Sequence, residues 1–494
     1  MKKSLPLQKS FTAIALGAAI AVTSLLAPAS QAGDVTITET EHVPSESALA
    51  AWWNGKYMTG NWFGVRDTLE DHGLKLGGKY YGAFFGVVSS QNGARGFWDQ
   101  GIEFKGELTL GKLLKVDALN GVKAFAGVRW RDASASANPN EFVEASGMFN
   151  PSNWVSGMQW RLLNFGLEIG SEDNLPVEDM VVLRGGWLQP QKEFIDQPLS
   201  KLFLNNAVNS SKGDGGNIPF SSSATTWGGT LKVKPADDLY AKGGLFMSFP
   251  NMTATGNHGL AFQGFAPDTS QNGLWTMVET GWTPKLTEQE LPGRYAVGGY
   301  YYGATEDSFN GTSHYGQYGF YFQFDQMLFR EPSKVQPLPM GKDGKTVVTG
   351  AHYTETVDPK SGKSFKTPIT PEKPRLNDQG LSMFNLVTFA PKYNNLYPFY
   401  FQSGLVYKGL IPSRDKDLTM FALAYGNYSY YNLLEDRQNG DSLSTYTIFL
   451  EWGYRVQLNK WAFFQPFLQY AIRPNGSGDV RNATILGVYT GVAF

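Results

Sequence analysis

The chain has no cysteine in 494 residues, so no disulfide framework and no thiolate metal site can be built from it. It has five histidines, His42, His72, His258, His314 and His352, too scattered for zinc-ligand spacing. No glycine-rich phosphate cradle is present; the 56 glycines fall in turns and extended segments. Nothing therefore calls for a metal, a nucleotide or another cofactor. Neither charge sign dominates, with 42 Lys and Arg against 44 Asp and Glu, which argues against nucleic acid as a partner. Beyond Ala32 there is no run of 18 or more apolar residues, so no helical membrane span is expected.

What is present begins with an export signal. Lys2, Lys3 and Lys9 precede an apolar stretch from Phe11 to Ala27, and Ser30-Gln31-Ala32 offers small residues for cleavage after Ala32. Its removal leaves 39 basic against 44 acidic side chains, a mature net charge of −5. The domain reading is a signal peptide over 1–32, an N-terminal periplasmic segment over 33–75 and a barrel over 76–494.

From about Leu76 onward the pattern has a period of two. In TYTIFLEWGYRVQLNK, Tyr446, Ile448, Leu450, Trp452, Tyr454, Val456 and Leu458 fall on one parity; Thr447, Phe449, Glu451, Gly453, Arg455, Gln457 and Asn459 fall on the other. Sixteen segments of this kind are predicted: 76–88, 100–112, 121–132, 158–169, 179–188, 224–234, 239–249, 272–285, 293–304, 314–329, 380–390, 398–410, 417–430, 445–458, 461–473 and 483–494. The segment 158–169 alternates poorly, and a bulge near Leu162 and Leu163 would change its phase. Connections are alternately short and long, as in a transmembrane barrel whose closure leaves no unpaired backbone in lipid. The fold class is all-β, a 16-stranded antiparallel transmembrane β-barrel with a short N-terminal helical segment. The apolar parity then faces lipid and the polar parity faces water. Phe494 ends the chain on the outward parity.

Two stretches depart from the plain barrel. Counting back from Phe494 places 330–379 on the short-turn, periplasmic side, where a fifty-residue insert is unexpected; a hairpin-like fold is anticipated, with a strand near 346–357. Before the barrel, GNWFGVRDTLEDHG reads as a short helix, with Asn61 as cap, Trp62, Val65 and Leu69 on one face and Gly73 as stop. It is expected to pack as a plug at the lower end of the barrel.

At this point the motifs become familiar. GNWFGVRDTLEDHGLKL, FLNNAV, TTWGGTLKVKPADDLYAKGGLF, YGFYFQFDQMLFREP, GLVYKGLIPSRDKDL, and YRVQ, QPFLQY and RPNG near the C-terminus occur in the family's order. The chain resembles the carbohydrate-selective porins of the OprB type over nearly its whole mature length. The insert departs from that pattern. The resemblance implies a bacterial outer-membrane channel for passive diffusion of sugars, glucose-like monosaccharides above all, with no enzymatic activity.

Strand parity names the side chains available to such a lumen: Glu103, Lys105, Glu107, Arg129, Arg131, Arg184, Lys232, Lys234, Lys242, Trp275, Glu279, Gln323, Asp325, Glu451, Arg455 and Gln457. Charges of both signs occur, with little basic surplus. Arg129, Arg131 and Arg184, opposed by Glu103, Glu107, Glu279 or Asp325, are the expected constriction, because a guanidinium fork can hold two vicinal hydroxyls. The long outer connection 189–223, with Lys192, Asp196, Phe203, Asn205 and Asn206, is expected to fold into the barrel and narrow it.

The partners expected are small sugars and outer-membrane lipid; monomer and homo-trimer both stay open. A general diffusion porin is the alternative within the channel class, since parity does not separate a selective lumen from a broad one. A secreted carbohydrate-active enzyme would need a carboxylate pair that no local motif singles out. A soluble sugar-binding module would not carry apolar residues on the faces that flank Glu451 and Gln469.

Overall fold

The computed structural model describes residues 47–133, 139–144, 150–152, 159–170, 181–209, 224–249, 255–262, 272–309, 311–332, 353–357, 364–368 and 377–494. The signal segment and Asp34–Pro44 lie outside the described residues. The chain divides into two compact units, Met1–Ala48 and Leu49–Phe494, and the second contains every barrel strand.

Sixteen strands span the wall: β1 (Leu74–Ser89), β2 (Arg95–Thr109), β3 (Val122–Ala133), β4 (Gln159–Ile169), β5 (Val181–Leu188), β6 (Thr226–Ala236), β7 (Leu239–Ser248), β8 (Gly273–Trp282), β9 (Leu291–Asp307), β10 (Ser313–Arg330), β11 (Gly380–Phe389), β12 (Phe399–Lys408), β13 (Leu418–Asn427), β14 (Tyr446–Gln457), β15 (Ala462–Ile472) and β16 (Ala483–Ala493). Each pairs antiparallel with its sequence neighbours, and a two-residue stub, Lys285–Leu286, extends the foot of the β8–β9 hairpin. β1 closes on β16, with Lys79 opposite Ala493 and Phe84 opposite Val488. Closure leaves no free edge, which a sheet in lipid requires. No helix among the described residues is long and apolar enough to cross a membrane, so the strands form the only spanning elements described.

The two parities separate as the alternation predicts. On β14, Trp452 is 55% exposed on the outer wall, whereas Glu451 beside it is 1% exposed. Phe84, Leu274, Val278, Phe320 and Leu486 are likewise exposed. The anticipated bulge is real: Gly127 pairs with Asn164 and Val128 with Leu162, so Leu163 has no partner on β3. Trp187 keeps the outward parity expected of it but is fully buried. Its Nε1–H donates to the Gly259 carbonyl at 2.9 Å, and Trp227 and Phe262 pack edge-on against it. β5 is short, and residues 258–262 fill the space beside it, with Leu162 N–H donating to the His258 carbonyl at 2.9 Å.

At the short-turn rim the ends of the chain lock together. Met58 N–H reaches the Ala493 carbonyl at 2.9 Å, and Gly78 and Phe494 exchange backbone bonds. Trp52 and Trp53 pack on Trp461. The helix runs from Val65 to Asp71, starting later than expected because Trp62, Phe63 and Gly64 all take positive φ. Gly64, not Asn61, takes the N-cap position, though Asn61 Oδ1 still accepts from Asp67 N–H in the first turn at 3.2 Å. Gly73 ends it at φ +91, where an added Cβ would lie 2.7 Å from the Thr109 carbonyl oxygen. The plug expectation fails here. Trp62 and Arg66 lie with Phe104, Val128 and Phe494, which belong to the outer wall, so the helix flanks the barrel instead of stopping it. Phe494 packs edge-on against Phe104.

Within the insert, Tyr353–Val357 and Ser364–Pro368 form an antiparallel hairpin. Where the insert leaves and rejoins the wall, Glu331 N–H donates to the Gln379 carbonyl at 3.0 Å and Arg330 to the Asn377 carbonyl at 2.6 Å.

Candidate constriction and lumen

The described part of the long outer connection, 189–209, lies inside the barrel. Pro190 opens a short helix, Pro190–Phe194, where its fixed φ suits the first helical position. A 3-10 turn at Ser200–Leu202 and a helical turn at Asn206–Asn209 follow. Phe194, Ile195, Phe203, Leu204, Ala207 and Val208 are all almost completely buried. They pack into one apolar cluster with lumen-facing Phe246, Trp275, Met277, Phe384, Leu386 and Phe449. The loop is thus held as a small hydrophobic core within a wet tube.

Polar side chains from β7 round to β15 fasten its backbone. Gln323 on β10 donates to the Phe194 carbonyl at 3.1 Å, and Arg294 on β9 to the Asp196 carbonyl at 2.7 Å. Gln197 reaches the Asn385 carbonyl at 2.8 Å and accepts from Gln402 at 3.1 Å. Arg455 and Gln465 both donate to the Leu202 carbonyl, at 3.0 and 3.1 Å. Tyr400 hydroxyl donates to the Ala207 carbonyl. Glu451 makes the tightest clamp: its two oxygens accept Leu204 N–H at 2.8 Å and Asn205 N–H at 2.7 Å.

These contacts sort the residues predicted from sequence. Glu279, Trp275 and Glu451 face inward but lie under the loop. Glu279 accepts from Tyr240 at 2.7 Å, Tyr321 at 2.8 Å and Gln323 at 2.9 Å, so it organises wall and loop support. Asp325 sits opposite Arg294 on the neighbouring strand. None of these four lines either of the two cavities beside the loop helix Pro190–Phe194.

Those two cavities lie on the short-turn side, with the helix Pro190–Phe194 contributing to both. The first has a volume of about 610 Å³. Glu103, Lys105, Arg129 and Arg455 line it together with Lys192, Asp196 and Lys201 of the loop. Arg129 lies 3.5 Å from Glu103. Tyr81, Tyr489 and Phe463 give it an aromatic side, and Arg455 stacks 4.1 Å over Phe463. The second cavity, about 370 Å³, holds Glu107, Arg184, Lys232 and Lys242 from the predicted set, with Lys123, Glu168 and Glu193. Arg184 lies 3.4 Å from Glu193 and 4.1 Å over the Phe125 ring. Lys242 lies 3.7 Å from Glu193.

The expected opposition of Arg129, Arg131 and Arg184 to wall carboxylates is therefore only partly assembled. Glu103 meets Arg129, but the carboxylate beside Arg184 is Glu193, contributed by the loop. Arg131 is buried, and Arg161 stands opposite Arg129 on the next strand. The sequence reading missed Arg161, although the Leu163 bulge it anticipated is what turns Arg161 inward. The charge balance also differs from the reading of little surplus. The first cavity carries seven cationic side chains against two carboxylates.

Comparison with known proteins follows the same line. The family model described as carbohydrate-selective porin, OprB family, matches residues 68–494. Porin B of Pseudomonas aeruginosa is 24% identical over 474 residues, covering 89% of this chain and 92% of the relative. The high-pH structure of Pseudomonas putida OprB superposes with a TM-score of 0.71 at 22% identity, over 90% of this chain and all of that one. The low-pH structure of the same protein gives 0.51 at 17% identity, over 89% of this chain and 99% of that one.

Proposed function

Because the chain belongs to the OprB family of carbohydrate-selective porins, an outer-membrane channel family and not a family of enzymes, we propose that glucose-like monosaccharides cross it between the loop 189–209 and the opposite wall. The observation that carries this is the pairing of a guanidinium with a carboxylate on the edge of each cavity, Arg129 with Glu103 and Arg184 with Glu193. A hexose is ringed by hydroxyls that both donate and accept. A forked cation and a carboxylate side by side can satisfy vicinal hydroxyls in both senses. Tyr81, Tyr489 and Phe463 offer surface to the apolar face of the ring. Conduction requires that these contacts be weak enough for the sugar to leave as well as enter.

The test is planar-bilayer conductance with a panel of sugars added as blockers. Glucose-like sugars should reduce the current with dose, and Arg129→Ala or Arg184→Ala should weaken the block. Current that no sugar changes would leave a broad sieve in place of a binding constriction.

A further inference from the structure

We infer that a groove on the outer wall, at the short-turn rim, binds one phospholipid of the adjoining leaflet, its phosphodiester at Arg66 and an acyl chain along the strands. The groove has a volume of about 320 Å³ and is lined mainly by apolar residues. Three small residues form its floor: Gly78 on β1, Gly106 on β2 and Ala126 on β3. They share the outward parity of exposed Phe84, Phe104 and Val128, and Gly106 stands opposite Ala126. The Phe494 ring lies over Gly78 and bounds the groove on that side. A Cβ added to Gly106 would meet only a Leu76 methyl, at 3.4 Å, so the slot is open there. A methylene chain fits such a slot, where longer outward side chains would fill it.

Arg66 is what points to a phosphate. It lines the same groove and is only 4% exposed. Its guanidinium lies 3.9 Å from the centre of the Tyr57 ring and 4.2 Å from that of Trp62. It donates to the Leu76 carbonyl at 3.1 Å and to Thr59 Oγ1 at 3.5 Å, and its Nε–H has no acceptor. Both acceptors are neutral, and among the described residues Arg66 makes no ion pair. The neighbouring carboxylate, Asp67, accepts from Asn61 instead, and the chain end at Phe494 accepts from Gly78 N–H at 2.9 Å. A buried cation without an anion is costly. A phosphodiester supplies both the opposite charge and the paired oxygens that the edge of a guanidinium matches. The height in the membrane agrees, because Leu76 lies near the start of β1 and Trp52, Trp53 and Trp62 cluster at the same rim, as aromatics do at the headgroup level. Phe63 is fully exposed and Val65 52% exposed, so the segment beside the groove offers apolar surface to lipid.

The experiment adds dioleoyl phosphatidylglycerol, or dioleoylglycerol, which lacks the phosphate, to the full chain in detergent and counts retained lipid by native mass spectrometry. The wild type should keep one phosphatidylglycerol per chain and several-fold less dioleoylglycerol. Arg66→Met should erase that headgroup preference. Gly106→Leu, which fills the slot and leaves Arg66 in place, should cut phosphatidylglycerol retention several-fold. Heat-modified gel mobility identifies the folded barrel in each case. Should Arg66→Met fail to fold, the headgroup comparison on the wild type and the Gly106→Leu variant decide. Equal retention of the two lipids by the wild type overturns the site, as does Gly106→Leu retention that matches the wild type. A lipid-free dimer or trimer that Gly106→Leu dissociates also overturns it and assigns the groove to contact between copies. The sugar route through the lumen stands or falls separately.

Discussion

Glu451 is the residue whose removal should most change how the channel behaves. Its carboxylate is 1% exposed and accepts two backbone N–H groups of the loop, at 2.8 and 2.7 Å, and Gln469 at 3.2 Å. Glu451→Ala leaves those two buried donors without an acceptor. A hydrogen bond to a charged group contributes about 1.5–3 kcal/mol, so the pair is worth roughly 3–6 kcal/mol. Each 1.4 kcal/mol is about tenfold, so the equilibrium for loop release should shift by roughly 10²- to 10⁴-fold. The apolar cluster around Phe203 still opposes release, so the variant should fluctuate without becoming permanently open. Single-channel recording should show excess open-channel noise and brief high-conductance excursions. Glu451→Gln should fall between, since it keeps one acceptor oxygen but turns an amide N–H towards the other donor. A folded Glu451→Ala barrel, with normal heat-modified gel mobility and wild-type conductance and noise, would refute the clamp.

Other expectations are as direct. Gly73→Ala forces a side chain into φ +91 and against the Thr109 carbonyl; backbone strain of this kind costs about 1–3 kcal/mol, and the urea midpoint of the refolded barrel should fall accordingly. Phe203→Ala removes a fully buried ring from the loop cluster, a change that costs about 3–5 kcal/mol; it should raise channel noise while the melting of the barrel moves less. Burial lowers the pKa of Lys192, on the loop outside the spanning strands, to about 8, with Arg129 and Lys105 acting in the same sense and Glu103 opposing. The ammonium is therefore charged below about pH 8 and neutral above it, and burial pushes Lys201 of the same cavity to about 7, so the share of current carried by anions in a KCl gradient should decline as pH rises from 6 to 9. A flat profile, or the same decline in Lys192→Gln, would assign the effect elsewhere.

The barrel was legible because lipid on one side and water on the other impose a two-residue period, repeated here over sixteen segments with alternately short and long connections. Each of the sixteen predicted segments overlaps a strand of the wall, with ends that differ by a few residues, and the phase change at Leu163 could be anticipated from the poor alternation of β4. What misled the reading was the assumption that inward means wet. Phe449, Phe246, Met277 and Phe384 sit on the inward parity, where a water-filled lumen gives them no reason to be. They were the signal of a second hydrophobic core, formed when 189–209 folds in. The same core explains why Glu279 and Glu451 support the loop and do not line the aperture, and why Glu193, on a loop with no parity to read, came to lie beside Arg184. The position of the N-terminal helix was likewise hidden, because three consecutive positive φ values at Trp62, Phe63 and Gly64 redirect the chain after Asn61. No pattern of apolar residues encodes that turn.

Polymer exclusion tests most directly whether the packed loop sets a sugar-sized aperture. Poly(ethylene glycol) fractions of rising size are added while conductance is recorded for the wild type and for a barrel lacking residues 196–208. The account predicts that the wild type excludes polymers larger than a disaccharide, and that the deletion admits them with a higher conductance. The same size cut-off and conductance in both channels would contradict it.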